Sequence, residues 1–539
     1  MTYEEGSLPR TAPRQKSESP SERLGAAFLQ PYRIVLAVAA LQFLLWGPLA
    51  AVYDPAPPTD SLEQILFSQD LRPFYVKHPA LPTWVLYLVN QWWGPSIETT
   101  FVLGALCATA TLLLLFFWAR PLIGARRAAL VTLLTSTIVF LNVGAIQYNN
   151  NTVQLPLAML SIVLFHRALT RGGWSTWALL GAAAGVFTLA KFSAMVLFAS
   201  FALYLYWTGR LRDRATWNAI GVATMAFAAL VLPPVIVAHS IDPASNHYAW
   251  IMLFPPELDR TQRLVSVWNF VASQLAAIAP AVLLFFFLRR RPPPAAVPQE
   301  RVPFVSFVTI VGFGPMVLTV LVSVLAGVRL LSGWGTTFHV LVPLWLVAAS
   351  GFAIEVSRGT LARAVVACGA IHMLLWTAMI GNGGALPTLY EKAARQTPPA
   401  PAALAQVVRD RWSDVSPTPL RFVVADIRTG APLSIAFGGD PRVVDGNRPD
   451  FALEFPPEAR AACGFVAVTS RPPALDPDAP NYDPLDDALN AAAPLTPVTL
   501  TAPDGSRRDY YVGVRPPSNN AECEIPGSAP TPRPDDIVD

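Results

Sequence analysis

The chain has 539 residues, of which 53% are hydrophobic and only 14% are charged. Together with a mean hydropathy of +0.41, this composition excludes an ordinary soluble protein. The net charge of +3 comes from basic loops between apolar runs, so it indicates membrane topology and contact with anionic lipid rather than nucleic-acid binding.

The N-terminal part of the chain predicts a cytoplasmic tail followed by a membrane anchor. Residues 1–24 are rich in Ser, Pro and charge, which is typical of a disordered tail. The apolar run that begins at Tyr32 is too long for a signal peptide and lacks a small-residue cleavage site. We therefore expect the first span to be retained.

Apolar runs of about 20 residues recur along residues 25–386, and each is long enough to cross a hydrocarbon core of roughly 30 Å. They predict a polytopic α-helical membrane domain with about eleven transmembrane helices. The Arg-rich loops all fall on one side, which the positive-inside rule makes cytoplasmic, so residues 53–97 and the chain after Ile380 lie outside. The predicted spans are Tyr32–Val52, Thr99–Trp118, Ala128–Ile146, Thr152–His166, Trp174–Leu189, Ser193–Trp207, Trp217–Ala238, Leu264–Leu288, Phe304–Gly327, Trp334–Ile354 and Leu361–Ile380.

The first outer loop contains a compact acidic patch. If Asp60 caps a helix, Glu63 lies one turn later on the same face. Tyr75, Lys77 and His78 follow in the segment Phe74 to Pro82. Acidic and basic side chains thus gather where the chain leaves the membrane.

Basic residues on the outer side depart from the positive-inside trend and therefore need another reason to be there. A cluster of such cations suits a phosphate group. Lys191 interrupts an apolar stretch at the turn between two spans. The alternative to phosphate binding is that it is a turn residue whose side chain extends to the membrane interface. The outer cations are Lys77, Lys191, Arg260, Arg263 and Arg329.

Each acidic or polar candidate also has a structural interpretation. In the simplest alternative to catalysis, Asp60 is only a helix cap. For Glu63 the structural alternative is an ion pair with an outer Lys or Arg. His78 next to Pro79 suits a rigid turn as well as acid–base chemistry. Asn tolerates turn geometry, so the run Asn149, Asn150 and Asn151 either turns the chain or binds sugar hydroxyls through its amides.

From about Pro387 the composition changes to short β-prone pieces with more Pro, Asp and Arg. Residues 387–525 predict an extracytoplasmic α/β domain, and residues 526–539 a disordered tail. Cys463 and Cys523 are the two cysteines of this domain, and an oxidising compartment would permit a disulfide between them. Cys107 and Cys368 lie within spans and are expected to be buried apolar fillers.

The order of these motifs resembles a known family. A first span is followed by an Asp-x-x-Glu-Gln helix, a Tyr-x-x-His-Pro-x-Leu segment, the Asn-rich turn at residues 148–152 and a Leu-Ala-Lys-Phe turn. This order is similar to that of bacterial family 39 glycosyltransferases, which include protein O-mannosyltransferase relatives and lipid A aminoarabinose transferases of the GT-C membrane fold. The likeness covers residues 32–205 and continues weakly over residues 329–343.

The resemblance implies an inverting glycosyltransferase of a bacterial inner membrane, with a sugar on a polyprenyl phosphate as donor and an extracytoplasmic lipid, glycan or protein as acceptor. Asp60 takes the place of the family's catalytic first-loop Asp. Ser61 stands where the family often has Glu, so Glu63 is the nearby second acid. Asn151 stands where relatives have Asp, so no metal site is indicated, although a divalent cation stays open.

The chemistry itself needs a carboxylate to accept the acceptor's proton and a cation to stabilise the departing phosphate. Asp60 suits the first role, and Lys191, Lys77 and Arg329 suit the second. Two other functions stay open. A polyprenyl-lipid flippase would carry ionisable residues in the middle of its spans, and an envelope assembly scaffold would not need Asp60.

Overall fold

The structure is a computed structural model that describes residues 30–53, 57–73, 75, 78–241, 253–254, 259–288, 302–349, 356–381, 400–448, 451–471, 484–492, 494–501, 507–518 and 523. The two predicted disordered tails and Lys77 lie outside the described residues.

The first part of the chain is a bundle of apolar helices. Two shorter helices, α3 and α4, lie between the first and second long helices. In chain order the helices are α1 Pro31–Trp46, α2 Pro48–Tyr53, α3 Thr59–Phe67, α4 Leu81–Trp93, α5 Ile97–Ile123, α6 Ala125–Ser136, α7 Asn150–Arg171, α8 Trp174–Ala190, α9 Ala194–Trp207, α10 Arg214–Ile241, α11 Arg260–Leu288, α12 Val302–Ala326, α13 Val342–Ala349 and α14 Arg358–Trp376.

Seven of the described helices are long and apolar enough to cross a membrane, with α1 and α2 together forming the first. An eighth span results if α6 and the short 3-10 turns at residues 139–146 count as one. The protein is therefore a multi-pass membrane protein. Helices α8 and α9 are apolar but shorter, because the turn at Lys191 divides the stretch between them.

Two predicted spans differ from the structure in shape. The span predicted at Ala128–Ile146 is not straight, since the helix ends at Ser136 and the following turn departs by 87°. Asn142 stabilises this break, because its side chain accepts a hydrogen bond from the Val143 backbone at 2.6 Å. The predicted helix start at Trp334 is also wrong. Trp334 lies in a 3-10 turn at Ser332–Gly335, and the helix begins at Val342.

Packing within the bundle centres on α5, which contacts α1, α6 and α7, while α8 packs between α7 and α10. Small residues allow the closest approaches. At Gly181 an added Cβ would lie 1.9 Å from the Ala223 carbonyl oxygen, so α8 and α10 can meet only with glycine at this position. These contacts fix the helix ends from which the loops emerge.

The C-terminal domain is an α/β unit with a five-stranded mixed sheet in the order β2-β1-β3-β5-β4. Strands β1, β2 and β3 are parallel, and β5 is antiparallel to β3 and β4. Its elements are α15 Pro401–Ser413, β1 Phe422–Ala425, α16 Ile427–Phe437, β2 Arg442–Asp445, α17 Phe451–Glu454, α18 Pro457–Cys463, β3 Phe465–Thr469, α19 Pro484–Ala491, β4 Thr496–Thr501 and β5 Arg507–Arg515.

Cys463 ends α18 and forms a disulfide with Cys523, with the two Cα atoms 4.6 Å apart. That separation lies in the range that bridged cysteines require. Cys368 is buried in the helical bundle, and its thiol donates to the Leu133 carbonyl at 3.3 Å.

The C-terminal domain packs directly on the first loop, which contains α3 and α4. One continuous cluster of buried apolar residues joins Leu62 and Leu66 of α3 to Ala431 and Leu433 of α16 and Val443 of β2. Burying such side chains together stabilises their contact by roughly 25 cal/mol for each Å² removed from water. The acidic helix of the first loop therefore has the membrane bundle on one side and the C-terminal domain on another.

Candidate active site

Asp60 lies in the first turn of α3 and is half-buried. The predicted cap position is wrong, because Pro58 precedes the helix and Asp60 is its second residue. Within the first turn the helix dipole favours a carboxylate. The Asn149 amide donates to Asp60 Oδ2 at 3.1 Å, which fixes one carboxylate oxygen.

The Asn-rich turn connects Asp60 to the start of α7. Asn149 is the N-cap of this helix, and its Oδ1 accepts from the backbone N–H groups of Asn151 and Thr152 at 2.8 and 3.1 Å. The Thr152 hydroxyl accepts from the Asn149 backbone in return, which completes a capping box. The turn is thus rigid, and it presents the Asn151 side chain.

Lys191 lies in the turn between α8 and α9, outside both helices. Its ammonium donates to Asn151 Oδ1 and, at 3.4 Å, to the carbonyl oxygen of Gly333. Burial lowers the pKa of Lys191 to about 8, and the charge of Asp60 partly offsets this effect. The ammonium and the Asp60 carboxylate are therefore close enough to interact electrostatically.

Asn150 stabilises the positions of the elements around Asp60 and Lys191. Its side chain is buried and donates to the carbonyl oxygens of Ala190 at 2.7 Å and Pro79 at 3.3 Å. It also accepts from Gln64 at 3.4 Å, and Gln64 in turn accepts from Thr83 at 2.8 Å. Asn150 thereby ties α3, the turn before α4 and the end of α8 to one point.

His78 Nε2 lies 3.2 Å from Glu63 Oε2, and the Glu63 side chain is only 5% exposed. The sequence-based structural interpretation expected an outer Lys or Arg beside Glu63, and the outer Lys77 lies outside the described residues. The charge of Glu63 also acts on Asp445 at the end of β2. Burial, Asp426 and Glu63 raise the pKa of Asp445 to about 7, against the effects of a backbone hydrogen bond and Arg448.

Two further predicted site residues occupy other surroundings. The buried Tyr75 donates through its hydroxyl to the Asp70 carbonyl at 2.8 Å, and its ring packs on Phe67. Arg329 is half-buried, and its backbone N–H donates to the Leu253 carbonyl at 2.9 Å. Within the described part of the chain, no hydrogen bond or ion pair joins the Arg329 side chain to Asp60 or Lys191.

The turn at Ser332–Gly335 is a part of the cluster that was not predicted as a site. Its Gly333 carbonyl accepts from Lys191, and a Cβ at Gly333 would lie 3.1 Å from the Asn151 amide nitrogen. Buried Gln274 holds the turn by donating to the Ser332 carbonyl at 2.9 Å. His339 bonds Gln274 Oε1 at 2.9 Å. The sequence signal was two glycines in Leu-Ser-Gly-Trp-Gly, which indicates close backbone approach.

The described residues contain no candidate metal site. No group of three or more His, Cys, Asp or Glu side chains there has the arrangement of a metal site.

Comparison with known proteins gives one family match. Residues 77–237 match the sequence model of the dolichyl-phosphate-mannose-protein mannosyltransferase family. The matched part includes Asn149, Asn151 and Lys191 but begins after Asp60. No curated protein sequence matches the chain significantly.

Two solved structures are similar over most of both chains. Crystal structures of ArnT from Cupriavidus metallidurans, one bound to undecaprenyl phosphate and one in the apo state, match with TM-scores of 0.56 and 0.57 at 14% sequence identity. They cover 89% and 91% of this chain, and 97% and 98% of theirs. The chain thus has the GT-C fold, with its C-terminal domain included, and the resemblance to family 39 glycosyltransferases is confirmed.

Proposed function

We propose that this protein is an inverting glycosyltransferase that moves a sugar from a polyprenyl-phosphate donor to an acceptor on the outer side of a bacterial inner membrane. The observation that carries the proposal is that one turn contacts both Asp60 and Lys191: Asn149 donates to Asp60, and Asn151 accepts from Lys191. A half-buried carboxylate and an enclosed ammonium interact at one end of the helical bundle, through a turn that Asn149 and Asn151 make rigid. The ArnT structure with bound undecaprenyl phosphate supports the class of donor.

The proposed reaction is a single displacement. The acceptor hydroxyl oxygen attacks the anomeric carbon, the bond from that carbon to the phosphate oxygen breaks, and the phosphate leaves with the electron pair. Asp60 takes the proton from the hydroxyl, a contribution on the order of 100- to 10,000-fold in rate. Lys191 stabilises the negative charge on the departing phosphate.

The remaining predicted residues take supporting roles in this proposal. Glu63 is buried against His78, so it sets the electrostatic environment of α3 rather than touching the acceptor. The Asn149 and Asn150 amide nitrogens donate to protein groups, whereas the described bond of half-exposed Asn151 is made by its Oδ1, so the Asn151 amide nitrogen is proposed to face the donor. Lys77 and Arg329 are proposed as additional cations for the donor phosphate.

Release of polyprenyl phosphate tests the proposal in vitro. The purified protein in lipid nanodiscs is given undecaprenyl-phosphate-linked sugars together with a cell-envelope extract as acceptor. We expect acceptor-dependent release of undecaprenyl phosphate. Mass spectrometry of envelope glycans from cells with and without the protein then identifies sugar and acceptor. Unchanged envelope glycans together with no release from any donor would contradict the proposal.

A further inference from the structure

The C-terminal domain contacts the chain just after α3 through the Gln69 side chain, which makes the hydrogen bonds that a neighbouring β-strand would make. The Gln69 amide donates to the Val443 carbonyl oxygen, and its oxygen accepts from the Val443 N–H, both at 2.8 Å. Strand β2 is an edge of the sheet, so these backbone groups face no neighbouring strand on that side. Gln69 thus supplies the two hydrogen bonds that a further strand would make.

Charged side chains surround this contact. Arg72 of the first loop pairs with Glu454 at 3.2 Å, and Arg442 of β2 pairs with Asp70 at 3.1 Å and with Glu454. Arg448 lies 4.2 Å above the Phe67 ring, the last residue of α3. The ion pairs cross the boundary between loop and domain in both directions, which gives the contact a fixed register.

A second contact reaches the start of α3, next to Asp60. Asp426 caps α16 by accepting from the Arg428 and Thr429 backbone N–H groups at 2.9 and 3.1 Å. The cap fixes the first turn of α16, from which the Arg428 guanidinium donates to the Thr59 hydroxyl at 3.3 Å. Arg428 is therefore a residue of the C-terminal domain that contacts the neighbour of Asp60.

We propose that the C-terminal domain is an integral part of the transferase site, with Arg428 and Gln69 as positioning residues for Asp60. The inference rests on the proposed function. Helix α3 has only 9 residues, too few for a helix to be stable alone, since isolated helices shorter than about 12 residues are marginal in water. Its position depends on what holds it: Asn149 and Asn150 contact it from the bundle, and the domain contacts Thr59 at its start and Gln69 just beyond its end.

The consequence for catalysis follows from geometry. A base must lie within hydrogen-bond reach of the hydroxyl that it deprotonates, and a displacement of about 1 Å can cost on the order of 100-fold in rate. Lys191 is held separately, by Asn151 and Gly333. Loosening α3 should therefore slow sugar transfer and leave donor binding nearly unchanged.

Single-turnover transfer and donor affinity are measured on the full-length protein. For Arg428→Ala and Gln69→Ala we expect at least about a tenfold lower transfer rate, with donor affinity within twofold of wild type. Arg428→Lys keeps a donor for Thr59 and should recover part of the rate. Arg507→Ala on β5 and Gln406→Ala on α15 remove exposed side chains of the same types that have no described hydrogen bond or ion pair to α3, and they serve as matched controls.

Thr59→Val separates positioning from loss of folding, because it removes the hydroxyl partner without altering the C-terminal domain. It should slow transfer about as much as Arg428→Ala does. The double variant with Thr59→Val and Arg428→Ala should transfer sugar no more slowly than the slower of the two single variants. Normal transfer rates in Arg428→Ala and Gln69→Ala, or additive losses in the double variant, would overturn the inference. These outcomes require an active wild type, whereas a wild type that transfers no sugar would defeat the proposed function instead.

Discussion

At the residue scale, Lys191 gives the site its pH dependence. Its pKa is lowered to about 8, so in the donor-free protein the ammonium loses its proton as the pH rises through that value. A neutral amine cannot pair with the donor phosphate, whose own charge is constant in this range. We expect donor affinity to be constant below pH 8 and to fall above it, measured by calorimetric titration.

The matched variant for this prediction is Lys191→Arg, because arginine stays charged at every accessible pH. Its donor affinity should stay level between pH 7 and 10, while that of Lys191→Ala should be low throughout. A wild-type affinity that does not change between pH 7 and 10 would contradict phosphate binding by the Lys191 ammonium.

Asp445 predicts a pH dependence of stability. Its pKa is raised from 3.8 to about 7, so the folded protein binds the proton more tightly than the unfolded chain does. The free energy of unfolding should therefore fall as the pH rises from about 4 to 7. Asp445→Asn keeps the side-chain oxygen that accepts from the Asn447 N–H at 3.1 Å and cannot ionise.

Thermal unfolding in detergent checks this at two pH values. The variant should unfold at a higher temperature than wild type at pH 8, and the difference should shrink at pH 5. A variant that is less stable at pH 8 would show that the Asp445 charge is favourable at the domain boundary.

The sequence predicted Asp60 and Lys191 as candidate site residues because each breaks a local trend: an acid after an apolar span, and a cation on the side that the positive-inside rule predicts to be poor in cations. It did not identify Gln274 or the Gly333 carbonyl. A buried glutamine leaves no pattern in the sequence, and the two glycines of the turn indicate a close approach without indicating its partner. The packing of α11 against the turn at residues 332–335 reveals both groups.

At the element scale, the turn at Ser332–Gly335 links the core of the bundle to Lys191. A Cβ at Gly335 would lie 2.2 Å from Gln274 Oε1, so Gly335→Ala must displace either the turn or the glutamine. Because Gly333 in the same turn accepts from Lys191, we expect at least about a tenfold loss of donor affinity. The measurement is donor titration of the purified variant.

Gly369→Ala is the control for this substitution. Gly369 lies in α14 with open space where a Cβ would be added, and alanine suits a helix better than glycine. This variant should bind donor normally. Equal donor affinity in Gly335→Ala and Gly369→Ala would show that the turn at Ser332–Gly335 does not affect donor binding.

Element boundaries show which features the hydropathy pattern can predict. Long apolar runs located α5, α7 and α11, but the run at residues 128–146 did not reveal its bend. One side chain, Asn142, stabilises the bend: it accepts from the Val143 backbone N–H at 2.6 Å and donates to the Ser136 carbonyl at 3.1 Å. Hydropathy averages over such a residue and therefore predicts a straight span.

At the scale of the whole molecule, the distribution of arginine predicts topology. We expect the N-terminus to be cytoplasmic and the C-terminal domain external, because the Arg-rich loops alternate with the outer segments. A cysteine placed at exposed Asp414 of the C-terminal domain should react with an impermeant maleimide in intact cells. One placed at exposed Arg212, in a loop predicted to be cytoplasmic, should react only after lysis. The reverse pattern would put the Asp60 cluster on the wrong side for an external acceptor.

The composition was sufficient to predict a membrane bundle followed by an α/β domain, because the apolar runs are long in the first part of the chain and short in the second. How the two parts meet was not predictable. The contact depends on Gln69, Arg72 and Arg442, which are ordinary polar residues in sequence and acquire partners only when loop and sheet come together.

The central claim is that Asp60 is the base of a sugar transfer for which Lys191 binds the donor phosphate. The most direct measurement is single-turnover transfer by Asp60→Asn, with donor affinity determined on the same preparation and Asp414→Asn as an exposed control. Asparagine keeps the size and polarity of the side chain and removes the basic oxygen. Transfer should fall by at least about 100-fold while donor affinity and folding are retained. Near-normal transfer by Asp60→Asn would contradict the account.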